Sequence, residues 1–185
     1  MRSHLLSPLC TLVLLGSSMS VINAQRYMGH SGTVHFHSQT LMEDIEATLP
    51  DMTGIMDAVD GSFAFQVKMR SFSFEKALMQ EHFNEDYIES DQFPKASFQG
   101  QIVGWSESLG DGETHVVQAE GSFWCHGVEQ RRTIDGSLKK ADDGWEISCR
   151  FPVELEEHDI DVPGWATYLI SSTIDVDVQI KLTQQ

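Results

Sequence analysis

Through most of this chain, apolar residues recur at every second position. In Ser62 to Arg70, Phe63, Phe65, Val67 and Met69 alternate with Ser62, Ala64, Gln66, Lys68 and Arg70, the pattern of a strand with one buried face. Trp145, Ile147, Cys149, Phe151 and Val153 alternate with polar or edge residues in the same way, and so do Ile174, Val176, Val178, Ile180 and Leu182. Weaker alternation marks Thr33 to Ser38, Met42 to Thr48, Lys95 to Gly104, His115 to Cys125 and Val128 to Leu138. Turn residues separate these runs at Asp60-Gly61, Gly110-Asp111-Gly112, His126-Gly127 and Asp142-Asp143-Gly144. About eight or nine strands with short connections predict an antiparallel meander, which closes into a barrel or folds into a sandwich because closure removes exposed edges.

One segment departs from period two. Phe74, Leu78, Met79 and Phe83 fall at helical spacing, with Ser73 placed to cap the start and Glu75 in the first turn. A single helix near residues 74–84 is therefore expected to interrupt the sheet, with Phe74, Leu78 and Phe83 packed over the rim of the barrel. Pro94 ends any further helix, and Ala96, Phe98 and Gly100 begin the next strand.

At the N-terminus, Arg2 and His4 precede an apolar run from Leu5 to Leu15, then small residues and Ile22-Asn23-Ala24. This reads as a secretory signal peptide, residues 1–24, cleaved after Ala24. The run is too short for a bilayer span of about 20 residues, so a periplasmic or secreted protein without stable membrane insertion is expected. Cys10 lies inside the run rather than at the cleavage point, which argues against a lipid anchor. Residues 25–185 then suit one domain with a real core. Setting Arg2 aside leaves 11 basic residues against 28 acids, a net charge of −17, which opposes binding to nucleic acid or anionic membranes.

Two cysteines remain, Cys125 and Cys149, in a compartment that permits a disulfide. They end up two strands apart in a meander, roughly 10 Å, beyond disulfide reach. Both are expected to be free and inward-facing.

Candidate chemistry is sparse. His35-Phe36-His37 puts two imidazoles on one strand face with His30 nearby, but a third ligand at a fixed spacing is absent, so no metal is expected. His126 at its turn is read as structural. The acid pairs Glu43/Asp44, Glu85/Asp86, Glu156/Glu157 and Asp159/Asp161 lack a calcium-loop pattern and read as solvated turns. No G-x-S-x-G elbow, C-x-x-C or phosphate loop occurs. No catalytic residue and no cofactor is assigned.

What remains is the apolar inner face. Alternation places Phe36, Phe63, Phe65, Val67, Phe98, Ile102, Phe123, Ile134, Ile147, Phe151, Ile174 and Val176 inward. An eight-stranded barrel is the size at which such residues either fill the interior or leave room for one small ligand, and alternation cannot choose between the two.

The stretch Phe83-Asn84-Glu85-Asp86-Tyr87-Ile88-Glu89-Ser90-Asp91-Gln92-Phe93-Pro94-Lys95-Ala96-Ser97-Phe98-Gln99-Gly100 resembles a segment of the YceI-like family of exported polyisoprenoid-binding proteins. There a helix with acidic and aromatic residues runs into a Tyr-Pro-x-Ala-x-Phe-x-Gly strand start, and here Phe93 stands for the tyrosine. The likeness continues through Phe72-Ser73-Phe74, Leu78 to Phe83, Gly121 to Val128, Phe151 to Leu155 and Asp159 to Pro163. The resemblance implies a lipocalin-like antiparallel β-barrel whose apolar lumen holds an isoprenoid, a quinone or a fatty-acid-like lipid. It implies non-enzymatic binding, transport or storage in the cell envelope. The twelve inward residues above would line that lumen. Lys68, Arg70, Arg131 and Arg132 are read as outward-facing, which favours a neutral lipid over a diphosphate. The alternative is a filled barrel serving as an envelope interaction or stress-response scaffold. A homodimer is compatible with either.

Overall fold

The computed structural model describes residues 25–39, 44–162 and 171–184. The predicted signal peptide and cleavage site, and Met42, Glu43 and Pro163 of the patterns above, lie outside them. Among the described residues, β1 (Arg26–Ser38), β2 (Ile45–Asp57), β3 (Ser62–Lys68), β5 (Lys95–Ile102), β6 (Thr114–Cys125), β7 (Val128–Ala141), β8 (Gly144–Glu154) and β9 (Thr173–Gln184) pair antiparallel in chain order. β9 pairs back onto β1, which also pairs with β2, so the eight strands close into an up-and-down barrel. A ninth strand, β4 (Ser73–Phe74), is two residues long and attaches beside Thr48 and Ala47 of β2.

The strands are longer than simple alternation suggests where the pattern slips phase. On β1 the buried positions are Tyr27 and Gly29, then Gly32, Val34, Phe36 and Ser38. The slip falls between Gly29 and Gly32, where three steps on β1 face two on β2, Gly29 pairing with Gly54 and Gly32 with Met52. β2 answers with its own extra residue between Leu49 and Met52, around Pro50. A bulge of this kind resets which face points inward, and it tolerates the proline that a regular ladder would not. Gly54 is needed for packing: a Cβ there would lie 2.4 Å from the Phe65 ring, which sits across it.

The turn joining β6 and β7 has His126 at φ 49° and Gly127 at φ 77°, positive at both central residues as a tight two-residue hairpin requires. His126 is buried. Its Nδ1 lies 3.0 Å from the His158 carbonyl and its Nε2 3.2 Å from a Glu89 carboxylate oxygen, while Phe93 packs on its ring with centroids 4.2 Å apart. It therefore pins three connecting segments together at one end of the barrel.

The excursion between β3 and β5 is more irregular than a single capped helix. Ser73 does not cap it, because Ser73 and Phe74 are held in β4. The α-helix α1 (Ala77–His82) starts three residues later, with Lys76 at its N-cap and no side-chain cap. Gln80 does the organising instead, donating from Nε2 to the Phe72 carbonyl (2.6 Å) and accepting from the Phe74 N–H (3.3 Å). After His82 the helix widens into a π-helical turn, Phe83–Tyr87, closed by the Ile88 N–H to the Phe83 carbonyl at 2.9 Å.

The two ends differ. At the end holding the β2–β3, β5–β6 and β7–β8 connections, Leu138, Leu182 and Met56 are fully buried. Trp145 there packs edge-on against Tyr27 (6.3 Å between centroids) and against Trp105 (5.3 Å), whose indole donates to the Ala58 carbonyl at 3.1 Å. Lys140 stacks its ammonium over the Tyr27 ring at 4.5 Å. This end is a solid floor. The excursion from β3 to β5 lies at the opposite end and forms a lid.

Candidate functional site: the barrel lumen

Above the floor the inward-facing side chains stop meeting one another and surround a cavity of about 740 Å³, within the size range of small-molecule sites. Its walls are apolar. Phe36, Phe63, Phe65, Val67, Phe98, Ile102, Phe123, Ile134, Ile147, Phe151, Ile174 and Val176 all line it. Phe65, Phe98, Ile147, Phe151, Ile174 and Val176 are only half-buried although they point inward. Half-exposure on the inner face is what an open lumen produces; a filled core would bury the same residues fully.

The lid is aromatic. Phe74 and Phe83 line the cavity, and with Phe36 and Phe72 they form a cluster of rings whose centroids lie 5.0–5.7 Å apart, the spacing of favourable edge and tilted contacts. Leu78 is different: it is 62% exposed and does not line the cavity. Because the helix begins at Ala77 rather than Phe74, Met79 and Phe83, one turn apart, share the inward face. Leu78 is rotated about 100° away from Met79.

Alternation missed further lining residues for identifiable reasons. Val34 and Met52 flank the two bulges; Ala96, Val117 and Ala119 are too small or too weakly patterned to stand out; Tyr87 and Ile88 sit on the irregular lid. The polar groups in the wall are few and mostly satisfied. Ser137 and Ser148 hydrogen-bond to each other across β7 and β8 at 2.7 Å, and Ser38 Oγ accepts from the Ser171 N–H at 3.2 Å. At the mouth, His82 Nδ1 lies 2.6 Å from Asp86 Oδ2, and both line the cavity.

The two thiols and the phenol in the wall are held neutral. Burial pushes the Cys125 thiol up to about 12 and the Cys149 thiol up to about 11, with Asp177 adding to the latter. Burial, then Asp86, raises the Tyr87 phenol. Both cysteines are free. No lysine or arginine lines the cavity among the described residues. Of the outward cations, Arg70 pairs with Asp91, and Arg132 with Glu157 at 2.7 Å. No helix among the described residues is long and apolar enough to cross a membrane.

A sequence model of the YceI-like domain matches residues 27–182, from the floor end of β1 to that of β9. The chain belongs to the YceI-like family. Among solved structures, it is similar to a polyisoprenoid binding domain from Saccharophagus degradans implicated in plant cell wall breakdown, with a TM-score of 0.74 at 11% identity over 88% of this chain and 99% of that one. It is also similar to Burkholderia cenocepacia BcnA, with a TM-score of 0.68 at 13% identity over 81% of this chain and 95% of that one. The Campylobacter jejuni YCEI protein gives a TM-score of 0.55 at 10% identity over 100% of this chain and 99% of that one. At these identities the likeness is one of fold. A comparison by sequence with curated proteins finds no match.

Proposed function

We propose that this YceI-like protein binds a long, uncharged isoprenoid lipid such as a quinone in its lumen, without catalysis, and carries or stores it in the cell envelope. The observation that carries the reading is the half-exposed aromatic and aliphatic inner face around a cavity of about 740 Å³. Each 100 Å² of apolar surface taken from water contributes about 2.5 kcal/mol, so a chain buried along such a wall repays its immobilisation. The polyisoprenoid-binding domain among its structural relatives supports the ligand class. The absence of lysine and arginine from the described wall favours a neutral head over a phosphate, which would need cationic partners. The open lumen weighs against the filled-scaffold alternative. Export through a signal peptide cleaved after Ala24 belongs to the same proposal, and N-terminal sequencing of protein recovered from the envelope tests it.

The deciding experiment is organic extraction of the purified protein followed by mass spectrometry. A stoichiometric neutral prenyl lipid is expected. Protein that carries no lipid and takes none up from detergent-solubilised quinone or polyprenol would overturn the proposal.

A further inference from the structure

Met79, His82, Phe83, Asp86 and Tyr87 of the lid all line the cavity, so the segment that covers the lumen presents polar groups as well as rings to whatever lies beneath it. Their spacing is that of one helical face carried from α1 into the π-helical turn. The acids Glu85 and Asp86, adjacent in sequence, are thereby divided: Asp86 borders the lumen and Glu85 does not. Among the described residues, His82 is the one histidine in the wall and Asp86 the one acid.

The pair fixes how the imidazole can be used. His82 Nδ1 lies 2.6 Å from Asp86 Oδ2. A carboxylate only accepts, so Nδ1 carries the proton and, in the neutral ring, Nε2 is left as an acceptor. No described residue donates to that nitrogen. His126 differs in having both ring nitrogens engaged, and His115, bonded to Asp111, does not line the cavity. The His82 and Asp86 side chains are 48% and 60% exposed, which puts the free acceptor where the lumen opens to water. Tyr87, in the same wall, keeps its O–H as a donor, because burial and then Asp86 raise its phenol. A head group arriving here meets an acceptor, a donor and a fixed negative charge. An anionic head is repelled. A quinone carbonyl only accepts and leaves Nε2 unused, whereas a hydroxyl both donates and accepts.

We propose that His82, held in this tautomer by Asp86, accepts a hydrogen bond from a hydroxyl head on the lumen lipid, so that a prenol or a quinol is preferred over a quinone or a bare hydrocarbon. The tail then runs along the apolar wall towards the floor, and the head stays under the lid. Asp86 is a positioning residue: it touches the imidazole and sets which nitrogen is free. The inference rests on the reading that the lumen binds an isoprenoid lipid and adds which head that lumen selects.

The test compares geranylgeraniol with its methyl ether, each displacing the fluorescent probe 1-N-phenylnaphthylamine from lipid-free protein at pH 8. The ether keeps the chain and an oxygen that Tyr87 can donate to, and lacks only the proton that His82 would accept. The alcohol is expected to bind roughly fivefold tighter, the worth of one hydrogen bond. His82→Phe should bring the ratio to about one. Asp86→Asn, whose amide can donate to Nδ1 and so move the ring proton to Nε2, should give a ratio between the two. Equal binding of alcohol and ether overturns the head site and leaves the lumen reading standing; binding of neither overturns the lumen reading and the head site with it. A preference that survives His82→Phe also overturns the site. Should that variant not fold, imidazole nitrogen NMR of the unaltered protein decides: the His82 Nε2 signal should move more with the alcohol than with the ether, and equal shifts overturn the proposal.

Discussion

At the floor of the barrel, Trp145 meets Tyr27 edge to face and Trp105 at a tilt, and Leu138 and Leu182 have no exposed surface. A few residues further along the same strands, Ile147 of β8 and Val178 of β9 point to the same side and remain half-exposed to the cavity. Both regions obey one inside–outside alternation. What separates them is supply: at the floor a loop lends Trp105 and the start of β1 lends Tyr27, large rings that pack on the strand-borne Trp145, while in the middle the phenylalanines and aliphatics of the strands surround the cavity without such a plug between them. Periodicity specifies direction, and side-chain volume together with loop-borne plugs specifies whether the interior is full.

The contrast is broken most severely by truncating one aromatic in each region. Trp145→Ala at the floor leaves a cavity among fully buried neighbours and should cost about 3–5 kcal/mol, read from urea unfolding of lipid-free protein. Phe98→Ala in the lumen removes a ring already facing open space, and about 1 kcal/mol is expected from its partial burial. Equal losses would mean that the lumen is packed as tightly as the floor.

Next in size is the lid. Phe83→Asp places a charge among Phe36, Phe72 and Phe74. The lid can swing the charge towards water, limiting the stability loss to about 1–2 kcal/mol, but the aromatic closure is lost. Lipid recovered by extraction should fall severalfold while the urea midpoint moves modestly. A parallel loss of both would reduce the lid to a structural element.

The barrel itself was legible because strands such as β3, β8 and β9 alternate without interruption. The first two strands were only half legible: the bulges around His30 and Pro50 shift the apolar set by one position, and a reading that demands unbroken alternation stops at each. The lid was recognised as helical, but its orientation was not. Whether Phe74 starts a helix or pairs with Ala47 depends on a neighbouring strand distant in sequence, and that choice decides that Met79 faces in and Leu78 out. The twelve lumen positions follow from direction alone, so alternation reached them.

A smaller effect distinguishes the lid-side packing by pH. His158 is fully buried, edge-on to Phe123 at 5.2 Å. Its nitrogens approach the backbone of Cys125 and Val128 without a well-formed hydrogen bond. Burial, and secondarily the Arg132 charge, hold it below the ordinary 6.5, partly offset by Glu157 and those carbonyls. Below 6.5 the unfolded chain therefore binds a proton that the folded chain refuses. Stability from this group is complete above 6.5 and is lost as pH falls from there towards the lowered folded value. His158→Leu should flatten the urea midpoint between pH 7 and pH 5; an unchanged slope would assign the acid sensitivity elsewhere.

The smallest expected change uses the two thiols as reporters of how dry the lumen is. Cys125 and Cys149 both line it, at about 12 and about 11. At pH 8 the Cys149 thiolate is then roughly a hundredfold scarcer than at the ordinary value of 9. Native protein should react with iodoacetamide far more slowly than the same chain in urea, and Cys149 should react before the more deeply buried Cys125, as peptide mapping of the alkylated protein will show. Loading with a quinone should slow both further, since an apolar chain along the wall excludes the reagent and the water that would solvate a thiolate. Labelling as fast in the native state as in urea would mean that water fills the lumen freely and that its wall does not discriminate as an apolar binding surface must.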